Sequence, residues 1–128
     1  KDSRITIANQ QIERLIGHID FYSATYRLFK IDGLESHCED YGQAVVYKGT
    51  MEGSPKVFKL DGHHLIETGK VFPVCGNTYR MLHDTRFQPH FDFIGDMSNH
   101  FGIFADCGTP VPFNSSNDSA GGSNGGCC

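Results

Sequence analysis

The chain has 128 residues, 38% of them apolar, with 11 basic against 15 acidic side chains and a net charge of −4. That length suits one domain, no run approaches the ~20 apolar residues that cross a bilayer, and no secretory apolar region opens the chain. Basic residues scattered through an acidic chain make no phosphate-tracking stripe, which argues against nucleic acid as a partner.

The first residue is Lys1 rather than Met, so the expectation is a processed product or a piece of something longer. Residues 1–20 read as an extended lead and one helix. Ile12, Leu15, Ile16 and Ile19 fall at i, i+3, i+4 and i+7, the spacing of one apolar helical face. Asn9 is the expected N-cap, Glu13 sits where the helix dipole favours an acid, and Gly17 ends or frays the helix. "FYSATYRLFKI" (21–31) is aromatic and β-branched, with large side chains on both alternating faces, and reads as a central strand. "AVVYKGT" (44–50) and "KVFKLDG" (56–62) read as two strands joined antiparallel through the turn residues of "EGSP" (52–55). "HHLIETG" (63–69) is a candidate fourth. "NTYRMLHDTRF" (77–87) carries the second helical pattern, with Tyr79, Leu82 and Arg86 on one face, Asn77 or Thr78 as cap and Pro89 as stop. "HFDFIGD" (90–96) and "HFGIF" (100–104) read as short closing strands. Beyond about Asn114 the Ser, Asn, Gly and Asp composition cannot offset its ordering entropy, so residues 114–128 are expected to form a flexible tail. The expected fold is α+β: short antiparallel strands in a sheet, about two helices packed on it, and that tail. Residues 1–113 make the domain.

The five cysteines (Cys38, Cys75, Cys107, Cys127 and Cys128) are odd in number and lack the spacing of a disulfide scaffold. One disulfide can form, but the reading is thiols in a reducing, cytoplasmic compartment. No C-x-x-C or finger spacing suggests zinc. Adjacent His63 and His64 on an extended stretch point to opposite faces and do not grip one ion together. Glu39 and Asp40 beside Cys38 raise a thiol's pKa rather than activate it, leaving Cys38 as a packing residue. Cys75 in "PVCGN" precedes a helix start, where the dipole favours a thiolate. Cys127 and Cys128 are too close for an unstrained mutual disulfide and suit soft, thiophilic ions. Neither a glycine-rich nucleotide loop nor a hydrolase spacing is present, so no catalytic or cofactor-binding residue is assigned.

From "FYSATYRLFKIDGLESHCEDYGQAVVYKGT" (21–50), through "FKLDGHHLIETGKVFPVCGNTYRML" (58–82), "TRFQPHFDFIGD" (85–96) and "HFGIF" (100–104), the chain resembles the C-terminal domain of arsenite methyltransferases. The Cys pair closing a glycine-containing tail also recurs in that family. The resemblance implies a parent enzyme that moves a methyl group from S-adenosylmethionine to trivalent arsenic, with a thiol reductant. It also implies that the cofactor site and the core arsenic thiolates lie in upstream methyltransferase and arsenic-binding domains. Cys38 matches the cysteine of the family's "CEDYGQ", Cys75 that of "VCGNT", and Cys127 with Cys128 the terminal pair; the last two are the leading candidates for arsenic capture and the first two weaker ones. The chain alone is expected to be inactive, with trivalent arsenic species and the upstream domains as partners. The competing expectations are a stand-alone thiol-based metalloid binder and a purely structural packing domain.

Overall fold

The computed structural model describes residues 3–105. The 114–128 tail, Cys107, Cys127 and Cys128 therefore lie outside the described residues. The architecture is α+β, with two helices among several small antiparallel sheets.

The chain opens with β1 (Ser3–Ile5), α1 (Gln10–Ile16) and β2 (Phe21–Ser23). Asn9 caps α1 as expected, its side chain accepting from the N–H groups of Gln11 and Ile12 at 2.9 and 3.2 Å, which satisfies two orphan donors of the first turn. Gly17 closes the helix with its N–H on Glu13 O. The apolar face exists, but none of the described residues buries it: α1 has no buried residue. The 21–31 stretch departs from expectation more sharply. Only Phe21–Ser23 is a strand, paired with β1 rather than central in a sheet. Beyond it the chain runs irregularly with Tyr26 and Leu28 exposed, and only Phe29 packs on the core.

The core is organised by β4 (Ala44–Tyr47), which lies between β7 (Val71–Pro73) and β8 (Phe91–Ile94) in an antiparallel three-stranded sheet. β5 (Val57–Lys59) does not pair with β4 across the 52–55 turn; it pairs with β6 (Leu65–Glu67), with Phe58 opposite Ile66. The reason is burial. β4 is buried along almost its whole length and has both edges taken by strands from further along the chain, whereas β5 and β6 each bury only their central residue. Tyr47 joins the two layers. It bridges to Thr68 in parallel, its carbonyl accepts from Gly69 N–H at 2.8 Å, and its hydroxyl donates to Ser54 O while accepting from Met51 N–H. Gly49 has φ +72°, and a Cβ there would sit 2.7 Å from Pro55 O, so the loop after β4 requires a residue without a side chain.

Val45, Tyr47, Phe58, Leu60, Ile66, Val74, Leu82, Phe87 and Phe91 form the apolar centre. Its aromatic rings meet at offset and edge-on angles: Tyr47–Phe91 and Phe58–Phe91 centroids are 5.2 Å apart and Phe58–Phe87 5.3 Å, a geometry favoured by the ring quadrupole. α2 (Gly76–His83) places Leu82 in this centre and packs Tyr79 against it. It starts one residue before the expected Asn77 and ends well before Pro89, which instead sits in a 3-10 turn, Gln88–His90. Two short strands, β3 (Glu39–Asp40) and β9 (Gly102–Ile103), pair antiparallel at the margin.

Asp61 organises the turn before β6. It accepts from the backbone N–H groups of His63 and His64 and from the His64 ring. Partial burial raises the carboxyl's pKa, but those donors together outweigh it and hold the group well below its ordinary value of 3.8. A carboxylate with a depressed folded-state pKa adds stability that is fully present above the unfolded value and is lost as pH falls towards the folded one. Urea midpoints measured from pH 6 down to pH 2 should therefore fall less steeply below about pH 4 for Asp61→Asn than for the parent chain. Parallel curves would contradict this.

Candidate functional site

The two motif-borne cysteines of the described chain flank one piece of structure at the head of α2. Cys75 is the helix N-cap. Its backbone is extended, and its sulfur accepts from Thr78 N–H at 3.5 Å and lies 3.4 Å from Thr78 Oγ1. Cysteine rarely fills this position, where a hydroxyl or carboxylate is preferred, so the expected caps Asn77 and Thr78 fall inside the helix. Asn77 holds the 35–38 segment instead: its Oδ1 accepts from Glu35 N–H at 2.7 Å, and its Nδ2 donates to Glu35 O at 2.8 Å and His37 O at 3.4 Å.

Gln43 ties the other side. Its buried amide donates to Val74 O at 2.5 Å, and its Oε1 accepts from Tyr41 N–H at 2.6 Å. "CEDYGQ" and "VCGN" are thus two halves of one polar brace around buried backbone groups that would otherwise lack partners. Tyr41 adds a tie through its hydroxyl to Glu35 Oε1; that hydrogen bond, with burial and the Glu35 charge, raises the phenol's pKa above its ordinary value. A methyl group at Gly76 would come within 3.1 Å of Glu35 Oε2 and 3.2 Å of the Tyr41 ring, so the glycine lets this acid approach the helix N-terminus, where the dipole favours negative charge.

Cys38 precedes β3 and is 2% exposed; its carbonyl accepts from Phe104 N–H across the β3–β9 ribbon. Its burial matches the packing role expected of it. Its redox state does not match the expectation of thiols throughout, because Cys38 is disulfide-bonded. Cys75 is fully buried. Neither offers an open thiolate for a soft ion: one sulfur is spent in the disulfide and the other is enclosed against Thr78. Among the described residues no three of His, Cys, Asp and Glu converge as metal ligands. His63 and His64 do not form a metal pair either, since the His64 ring is held by Asp61 and lies 6.1 Å from Phe72. Sequence reasoning missed Gln43 and the bracing role of Asn77. The available signal was that both sit inside the two motif stretches, immediately beside a strand and a helix start.

No helix among the described residues is long and apolar enough to cross a membrane. The family described as the arsenite methyltransferase C-terminal domain matches residues 41–128. An arsenite methyltransferase of Aquipseudomonas alcaligenes is 60% identical over 113 residues, covering 88% of this chain and 33% of that protein. The Homo sapiens arsenite methyltransferase is 35% identical over 89 residues, covering 68% of this chain and 22% of its own length. Among solved structures, the crystal structure of CrArsM, an arsenic(III) S-adenosylmethionine methyltransferase from Chlamydomonas reinhardtii, superposes with a TM-score of 0.69 at 43% identity, covering 81% of this chain and 35% of the other. The chain therefore spans a third or less of the two curated relatives. It belongs to the arsenite methyltransferase C-terminal domain family.

Proposed function

We propose that the chain works as the C-terminal domain of an S-adenosylmethionine-dependent arsenite methyltransferase, packing on the rest of the enzyme and capturing trivalent arsenic on its terminal thiols, without methyl transfer of its own. The observation that carries this reading is the 60% identity to an arsenite methyltransferase of which the chain spans one third.

When bound, S-adenosylmethionine supplies an electrophilic methyl group on a sulfonium. The cleft beside Phe29 and Phe87 does not suit it. This cleft, between residues 26–31 and 84–87, presents Arg27, Lys30 and Arg86 against Asp84 alone, and three cations repel a sulfonium. No step of the reaction is assigned to this domain.

Its contribution is to the substrate. Trivalent arsenic is a soft centre that prefers thiolates, and Cys127 and Cys128 are the adjacent pair in the chain. The disulfide at Cys38 adds a redox requirement. Two equivalents of a monothiol reductant, leaving as one disulfide, return Cys38 and its partner to thiols, and only then can that sulfur contribute. This supports a role for thiol reductant in the parent reaction.

Native mass spectrometry of the 128-residue chain with arsenite and a monothiol reductant should show an arsenic adduct, lost in the Cys127→Ser, Cys128→Ser variant. An unchanged adduct in that variant would move capture to Cys38, Cys75 or Cys107. With S-adenosylmethionine added, no methylated arsenic should form; methylation by the chain alone would overturn the proposed division of labour.

A further inference from the structure

The β1–α1–β2 unit is the part of the molecule whose sequence and surroundings disagree. A two-stranded ribbon is marginal on its own, and a seven-residue helix is far below the length that holds itself together in water. Yet none of the three elements packs extensively on an element of the core. Its apolar residues face outward: Ile5, Ile12, Leu15, Ile19 and Phe21 are 38–76% exposed, with Ile5 and Phe21 directly opposite each other on the ribbon. A groove of about 250 Å³ between helix and ribbon mixes Ile5, Ile7, Ile19 and Phe21 with the charged Arg4, Glu13 and Asp20. Large apolar side chains left exposed together on one small unit mark a contact.

The comparisons indicate what covers it. The C-terminal domain family begins at residue 41. The match to the Aquipseudomonas alcaligenes enzyme, at 113 residues, is longer than the stretch 41–128, so it takes in residues before 41. The 81% of the chain that superposes on CrArsM also exceeds that stretch. At least the part of this segment from residue 16 onward, β2 included, is thus shared with a longer enzyme while lying outside the C-terminal domain family. We infer that the β1–α1–β2 unit is an interface element whose occupant is polypeptide corresponding to the unmatched two-thirds of those enzymes, adding apolar side chains to the groove and to the Ile12–Leu15–Ile19 face. The inference rests on the chain being part of a longer arsenite methyltransferase.

Hydrogen exchange followed by mass spectrometry tests it without reference to methyl transfer. In the full-length Aquipseudomonas alcaligenes enzyme, amides of the corresponding unit should exchange at least about tenfold more slowly than residues 3–23 do in the 128-residue chain. Equally fast exchange in both would overturn the inference. Slow exchange in the 128-residue chain that strengthens with its concentration would also overturn it, assigning the face to a second copy. As a control within this chain, Ile12→Lys with Leu15→Lys should leave the melting temperature unchanged; a marked drop would mean the face is already packed internally and would sink the proposal. A full-length enzyme that protects the unit but fails to methylate arsenite would leave this interface standing and remove only the proposed function.

Discussion

Phe58→Ala should destabilise the domain by about 3–5 kcal/mol, the usual loss when a buried phenylalanine is truncated, read as a fall in the urea midpoint at an unchanged slope. Phe58 is 4% exposed and touches three other aromatic rings, those of Tyr47, Phe87 and Phe91. Those rings come from β4, the 3-10 turn region and β8, so they are tied to separate backbone segments and cannot close together on the space left behind. The penalty therefore includes the cavity as well as the lost transfer of the ring from water. Phe29, also near Phe87 but at 6.4 Å and only partly buried, should tolerate the same change better. A loss below about 1 kcal/mol at Phe58 would mean that the aromatic centre repacks and that the domain's core lies elsewhere.

Gln43→Leu should come next, at about 2–6 kcal/mol, because one substitution leaves the Val74 carbonyl and the Tyr41 N–H without partners at about 1–3 kcal/mol each. The side chain is similar in volume, so packing changes little and the loss reports polar satisfaction. The same variant should disturb the head of α2, since Val74 precedes the capping Cys75. Alkylation of Cys75 under native conditions offers a second readout: the enclosed thiol of the parent chain should react slowly and that of Gln43→Leu faster. Stability within about 0.5 kcal/mol of the parent chain, together with unchanged alkylation, would show that the brace is not what joins the two motifs.

How far the sequence revealed this arrangement differed by element, for physical reasons. The first helix was legible because a 3.6-residue period and an asparagine cap are local signals, and both are present in the structure. Whether its apolar face was covered was not legible, because periodicity names a face and says nothing of what lies across from it. The aromatic run 21–31 was misread since large side chains on alternate positions also suit an irregular segment that drops one of them, Phe29, into the core. The 44–50 and 56–62 strands were found, but their pairing was misassigned: a short turn suggested a hairpin, while the buried strand β4 took its partners from 71–73 and 91–94. Of the site, the cysteines were named by motif. The disulfide at Cys38 was admitted by the count of cysteines and then set aside, and the bracing amides of Gln43 and Asn77 emerged only once folding placed them against each other.

Tyr47 carries a last consequence. Its ring belongs to the aromatic centre, its backbone to the middle strand, and its carbonyl and hydroxyl to the loops on either side of the neighbouring hairpin. The two layers share this residue as a common hinge pin, so neither can melt while the other survives. Residues 44–94 should open and close as a single cooperative event, which makes them one rigid unit within any longer protein built on them.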